Sequence, residues 1–215
     1  MQKKIDLLHG NLYSVLLWFA LPFLAANLIQ VLYGTVDLLV VGWYNGEAQI
    51  SAVSLGSQIT QLLLSLITGL TMGSTVLIAQ YAGNGKEKDI ESSIATTFTL
   101  FLFLGVMLTV VMLVLTPQLL QLIQTPPEAY GDACSYVYIC SIGIIFSFGY
   151  NAVSAVLRGL GDAKSPLYFI ITACIVNVVL DFLLVAGFHM GAAGAAIATT
   201  FSQGVSLILA IMVFA

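Results

Sequence analysis

The stretch LYSVLLWFALPFLAANLIQVLYGTVDLLVVGWY, residues 12–44, decides the fold. It is apolar for longer than the roughly 20 residues that cross a bilayer, yet it carries an aspartate, Asp37, near its far end. Five more stretches of this kind follow: Ala52–Ala82, Ile94–Leu115, Ala133–Leu157, Pro166–Ala186 and Ala192–Ala215. The 215 residues are 60% hydrophobic and 7% charged, with a mean hydropathy of +1.03. A soluble domain of this length cannot hide so much apolar surface. The expected class is all-α, a polytopic membrane helix bundle of six transmembrane helices forming one domain over residues 1–215. The lipid bilayer is its expected surrounding. No basic face points to nucleic acid. The first run is too long for a cleavable signal and continues through Asn27, Gln30 and Asp37.

The basic residues order the spans. Lys3 and Lys4 precede the first stretch, Lys86 and Lys88 lie between the second and third, and Arg158 and Lys164 flank the turn between the fourth and fifth. The connections near Glu47, around Glu128 and Asp132, and around His189 carry no Lys or Arg. Short loops rich in Lys and Arg stay cytoplasmic, so the N-terminus is expected inside.

Local signals set the ends of the helices. Pro22 is expected to bend the first, and buried neighbours can satisfy the carbonyl it frees. Gly83-Asn84-Gly85 is expected to end the second helix, Thr116-Pro117 the third, and Thr125-Pro126-Pro127-Glu128 to open the fourth. Gly159 to Pro166 read as a tight inner turn, and Gly187 to Gly194 as a short outer one. Gly69 and Gly73 have the GxxxG spacing of a packing interface. Trp18, Trp43, Tyr44, Tyr130, Tyr136 and Tyr138 read as interfacial aromatics. Cys140 and Cys174 read as packing residues, and with Cys134 they show neither metal-ligand spacing nor a disulfide pattern. His9 and His189 read as solvated ends, and Lys86 to Glu91 as a solvated loop and helix start. The last residues, Ile211 to Ala215, carry no polar exit or basic anchor. The chain therefore reads as cut at the end of a helix.

The polar residues inside the spans fall on faces. Asn27, Gln30, Gly34 and Asp37 follow steps of three and four on the first helix. Ser54, Gln58, Gln61, Ser65, Thr68, Met72 and Thr75 do so on the second. Asn177 and Asp181 are one turn apart on the fifth, and Ala195, Thr199, Ser202 and Ser206 form a small, polar stripe on the sixth. Small and hydroxylated residues serve helix packing. A carboxylate near mid-membrane is different, because it costs roughly 2.5 to 3.5 kcal/mol on insertion scales. Counting helix rise from Trp43, His189 and Gly191 places Asp37 roughly 9 Å, and Asp181 and Thr199 roughly 12 Å, below the outer end. Asn177 sits one turn deeper. Two carboxylates, an amide oxygen and a hydroxyl at one depth suit a hard monovalent cation. They equally suit a shared proton, and the bland alternative is two aspartates hydrogen-bonded independently.

These residues resemble a known family. Leu21-Pro22, Val36-Asp37 and Val41-Gly42 on the first helix, and Ala79-Gln80-Tyr81-Ala82-Gly83 closing the second, are similar to the multidrug and toxic compound extrusion (MATE) transporters. So are Val156-Leu157-Arg158-Gly159-Leu160-Gly161-Asp162-Ala163-Lys164-Ser165-Pro166, Asn177-Val178-Val179-Leu180-Asp181 and Gly191 to Thr199. The resemblance implies the N-terminal six-helix lobe of a two-lobe transporter, with the C-terminal lobe as its missing partner. It implies cation-coupled efflux of drug-like cationic or amphipathic small molecules by alternating access in the plasma (bacterial inner) membrane. The implied cation site is Asp37, Asn177, Asp181 and Thr199, with Na⁺ or H⁺ as coupling ion and no other cofactor. The implied substrate cavity draws on Asn27, Gln30, Tyr33, Gln58 and Gln61.

Other classes fit less well. A lipid-linked saccharide flippase of the same superfamily often lines its cavity with basic residues, and here no Lys or Arg is expected within any span, which favours a cationic or neutral amphipathic substrate. Gly159-Leu160-Gly161-Asp162 reads GxGD, the pattern of an intramembrane aspartyl protease, but Asp162 sits in a turn and no Pro-Ala-Leu partner motif is present. An enzyme is therefore not expected. A non-transporting half or scaffold is the remaining alternative.

Overall fold

A computed structural model describes residues 12–214. Lys3, Lys4, His9 and Ala215 lie outside the described residues, as does the side chain of Trp18. The described chain forms α1 (Leu12–Asn45), α2 (Glu47–Gly83), α3 (Glu87–Leu122), α4 (Pro127–Gly159), α5 (Lys164–Asp181) and α6 (Gly191–Phe214). A π-helical segment, Phe182–Gly187, continues α5 beyond Asp181. All six helical units are long and apolar enough to cross a membrane.

The helices overrun the apolar stretches at their polar ends. α3 begins at Glu87, where Glu87 and Asp89 favour the positive end of the helix dipole. Lys86 caps it and reaches Asp89 at 3.7 Å, an exposed pair of little energetic weight. α3 does not end at Thr116-Pro117. It continues through Pro117 to Leu122. Nearby, the Thr116 hydroxyl donates to the Met112 carbonyl at 2.6 Å, and the Tyr130 hydroxyl of α4 donates to the Pro117 carbonyl at 3.3 Å. α1 is likewise continuous through Pro22. Gly83 closes α2 and Pro127 opens α4, as expected.

α4 is the central helix and packs on α2, α3 and α6, while α5 packs on α6 and α1. Small residues on α4 and its partners make the close approach possible. A Cβ on Gly56 would come within 2.5 Å of the Tyr136 ring, and one on Gly159 within 2.8 Å of Ile78 and 3.0 Å of the Thr75 carbonyl. Gly69 and Gly73, by contrast, are exposed with nothing within 4 Å of a Cβ. Among the described residues their GxxxG spacing packs against nothing. The outward faces carry Leu62, Leu102, Phe103 and Val114, as a helix in lipid requires.

Gly159→Ala is expected to destabilise the protein by about 1–3 kcal/mol, because backbone and a β-branched side chain both block the added methyl. Gly131→Ala, which meets nothing within 4 Å, should be neutral or mildly stabilising. Melting in detergent measures both. Equal melting of Gly159→Ala and the parent would contradict this packing.

The end of the bundle that holds the α1–α2 connection is tied by one side chain. Gln49 donates to Asp132 in the second turn of α4 and accepts the Ala192 N–H at 2.8 Å, joining α2, α4 and the start of α6. Gly191 adopts φ +56, and its missing Cβ would lie 2.5 Å from Gln49 Oε1. At the opposite end Asp162 opens α5. Its carboxylate accepts the Lys164 N–H at 3.1 Å, the Ser165 N–H at 3.0 Å and the Ser165 hydroxyl. It serves as a helix cap, which removes the protease reading of Gly159 to Asp162.

Candidate functional site

The four residues singled out from helical spacing converge. Asp37, Asn177, Asp181 and Thr199 are 3%, 0%, 0% and 8% exposed. Their faces are buried for a local reason. Ala173, Asn177 and Asp181 repeat every four residues on α5, and Ala195, Thr199, Ser202 and Ser206 line one side of α6. α1 and α6 both pack on α5, so the three stripes meet.

The Thr199 hydroxyl donates to Asp37 Oδ2 at 2.8 Å and accepts from Asn177 Nδ2 at 3.4 Å. Asp181 lies against Asp37. The remaining oxygens, Asp37 Oδ1, Asn177 Oδ1 and both carboxylate oxygens of Asp181, are buried without a hydrogen-bond partner. No ion pair reaches either aspartate among the described residues. Buried acceptors with no donor are costly unless a positive species joins them. Only two of the ligating groups are acidic, and no cluster of three His, Cys, Asp or Glu side chains occurs among the described residues. The donor set is oxygen alone and fits a small hard cation or a proton.

Beside this cluster lies a cavity of about 850 Å³. Asn27, Gln30 and Tyr33 of α1 and Gln58 and Gln61 of α2 all line it. Asp37 and Thr199 belong to both places, to the cavity wall and to the acidic cluster. Asn177 and Asp181 stand behind them, outside the lining.

The opposite wall went unpredicted. Ser147, Asn151 and Arg158 of α4 and Thr200 and Gln203 of α6 complete the cavity, with the Ser147 hydroxyl donating to Gln203 Oε1 at 2.7 Å. The signal was present: Ser147, Asn151, Ser154 and Arg158 follow steps of four, three and four. Two readings are corrected here. Tyr136 is 4% exposed and lines the cavity, so it is not an interfacial aromatic, whereas Trp43 is 71% exposed and fits that role. Arg158 lies inside α4 and in the cavity wall, so the spans are not free of basic residues.

Fold and site together define a class: a membrane-embedded helical lobe with a buried acidic cluster that shares a wall with a small-molecule cavity. The particular family follows from comparison. The chain matches the MatE family model over residues 22–183, and it belongs to that family, one of transporters rather than enzymes. It is 36% identical over 206 residues to the probable multidrug resistance protein YpnP of Bacillus subtilis, covering 96% of this chain and 46% of that protein. It is 32% identical to the probable multidrug resistance protein YoeA of the same organism, covering 91% and 43%. A crystal structure of MATE in the bent conformation superposes with a TM-score of 0.91 at 26% identity, covering 98% of this chain and 47% of that one. The chain spans about half the length of the relatives it matches.

Proposed function

We propose that this chain is the N-terminal lobe of a cation-coupled multidrug efflux antiporter, paired with a second lobe beyond residue 215 in the parent protein. Na⁺ or H⁺ binds at Asp37, Asn177, Asp181 and Thr199. An amphipathic drug-like molecule occupies the cavity lined by Asn27, Gln30, Tyr33, Gln58 and Gln61. The N-terminus and the Lys86 and Lys164 turns face the cytoplasm, because those connections hold the basic residues. The ion site then lies in the outer half, near the side from which a driving ion enters.

One observation carries the reading. Four buried oxygens lack any partner, and the residues beside them form the wall of a drug-sized cavity. Occupying the cluster neutralises buried charge and changes the packing of α1 against α5 and α6. Those same helices shape the cavity. An ion acts in this way only through its different affinity for the two arrangements.

Efflux by the full-length parent in vesicles, with Na⁺ and pH gradients imposed separately, tests this. At least one gradient is expected to drive export of a cationic dye. Export indifferent to both would remove the coupling role of the acidic cluster.

A further inference from the structure

Arg158 is the one cation in the wall of the cavity among the described residues. Its Nε–H donates to the Ser154 carbonyl at 3.1 Å, one turn back on α4. Its guanidinium lies over the ring of Phe23 on α1, 5.3 Å from the centroid. The four N–H donors of its two terminal nitrogens have no protein partner among the described residues. Among the described residues no carboxylate pairs with it. Asp162, the acid nearest in sequence, is committed to capping α5. Asp37 lies 14 residues along α1 from Phe23, roughly 21 Å away by helix rise.

A topological anchor or a C-terminal helix cap needs only a positive charge, which lysine supplies equally. What the structure adds is a planar fork, half-buried, set over an aromatic ring of a different helix and placed in the cavity's lining. Such a fork matches the two oxygens of a carboxylate, and the contact with the ring leaves its terminal donors free. The cavity is therefore polarised lengthwise, with acid at the end of Asp37 and base at the end of Arg158.

We propose that Arg158 is a specificity-determining residue. Its guanidinium binds a carboxylate carried on an amphipathic substrate, so the cavity favours zwitterionic compounds over otherwise identical cations. This rests on the cavity being the substrate site.

Binding to the purified full-length parent, read by fluorescence anisotropy, tests it with a matched pair of probes. One is a cationic xanthene dye with a free carboxylate, and the other is its ethyl ester. Wild type is expected to bind both, the carboxylate dye more tightly. Arg158→Gln should weaken the carboxylate dye by about tenfold, the scale of a lost hydrogen bond to a charged group. It should leave the ester within about twofold, which also shows that the variant is folded. Arg158→Lys should fall between, because it keeps charge without the fork. Equal weakening of both dyes, or no weakening of either, would overturn the proposal while leaving the cavity as substrate site. Failure of wild type to bind either dye would overturn the cavity reading, and this proposal with it.

Discussion

Asp37→Asn and Asp181→Asn are each expected to abolish gradient-driven efflux in the full-length parent, with transport falling by about a hundredfold or more. The loss follows from charge. Asparagine keeps the shape and one oxygen but cannot neutralise a bound cation or accept the shared proton. The double variant should be little worse than either single one, because groups acting as a unit are not additive. Folding should survive, since each substitution removes a buried charge from a cluster whose oxygens already lack donors. A second readout separates a broken site from a broken protein. An ion that binds only the folded state raises its stability. The wild-type melting temperature should therefore rise with the coupling ion, and that of the variants should not. Normal efflux by Asp37→Asn would overturn the assignment.

The second large effect is reciprocity between ion and drug. Asp37 and Thr199 take part in both the acidic cluster and the cavity wall. Filling one place changes the other, so each ligand should weaken the other's affinity by the same factor, in the range of about 5- to 150-fold. Titrating a bound fluorescent cation with Na⁺ at several pH values gives the factor from one side. Titrating the ion in the presence of saturating dye gives it from the other. Unequal factors would show that binding is not at equilibrium. A dye affinity flat in both Na⁺ and pH would end the antiport reading.

Much of the site was legible because helical spacing and depth are both countable. Rise per residue puts Asp37, Asp181 and Thr199 at one level with Asn177 one turn deeper, and the four side chains come together in the fold. What escaped depends on partners rather than on spacing. Gly69 and Gly73 carry a packing motif with nothing opposite them, while the real close approaches use single glycines such as Gly56 and Gly159. Thr116-Pro117 reads as a helix end, yet α3 runs on through it to Leu122. Arg158 was read from its place in the chain as a loop marker. Hydropathy ends a span where polarity begins, but α4 runs on to Gly159 and carries the guanidinium into the wall.

The π-helical segment Phe182–Gly187 sets the angular phase of the fifth span. Ala173, Asn177, Asp181 and Val185 recur every fourth residue and are all buried. In an α-helix, which turns once in 3.6 residues, such a series creeps steadily around the axis. The wider π turn, closed here by the Phe188 N–H bonding to the Leu183 carbonyl at 3.0 Å, holds more than four residues and unwinds that creep. Val185 returns to the interior just outside Asp181. Chain length in this segment is thus as decisive as side-chain identity. Deleting one residue from 182–187 would leave every ligand of the acidic cluster in the sequence. It would also shorten the connection to α6, the helix that carries Thr199 to Asp37.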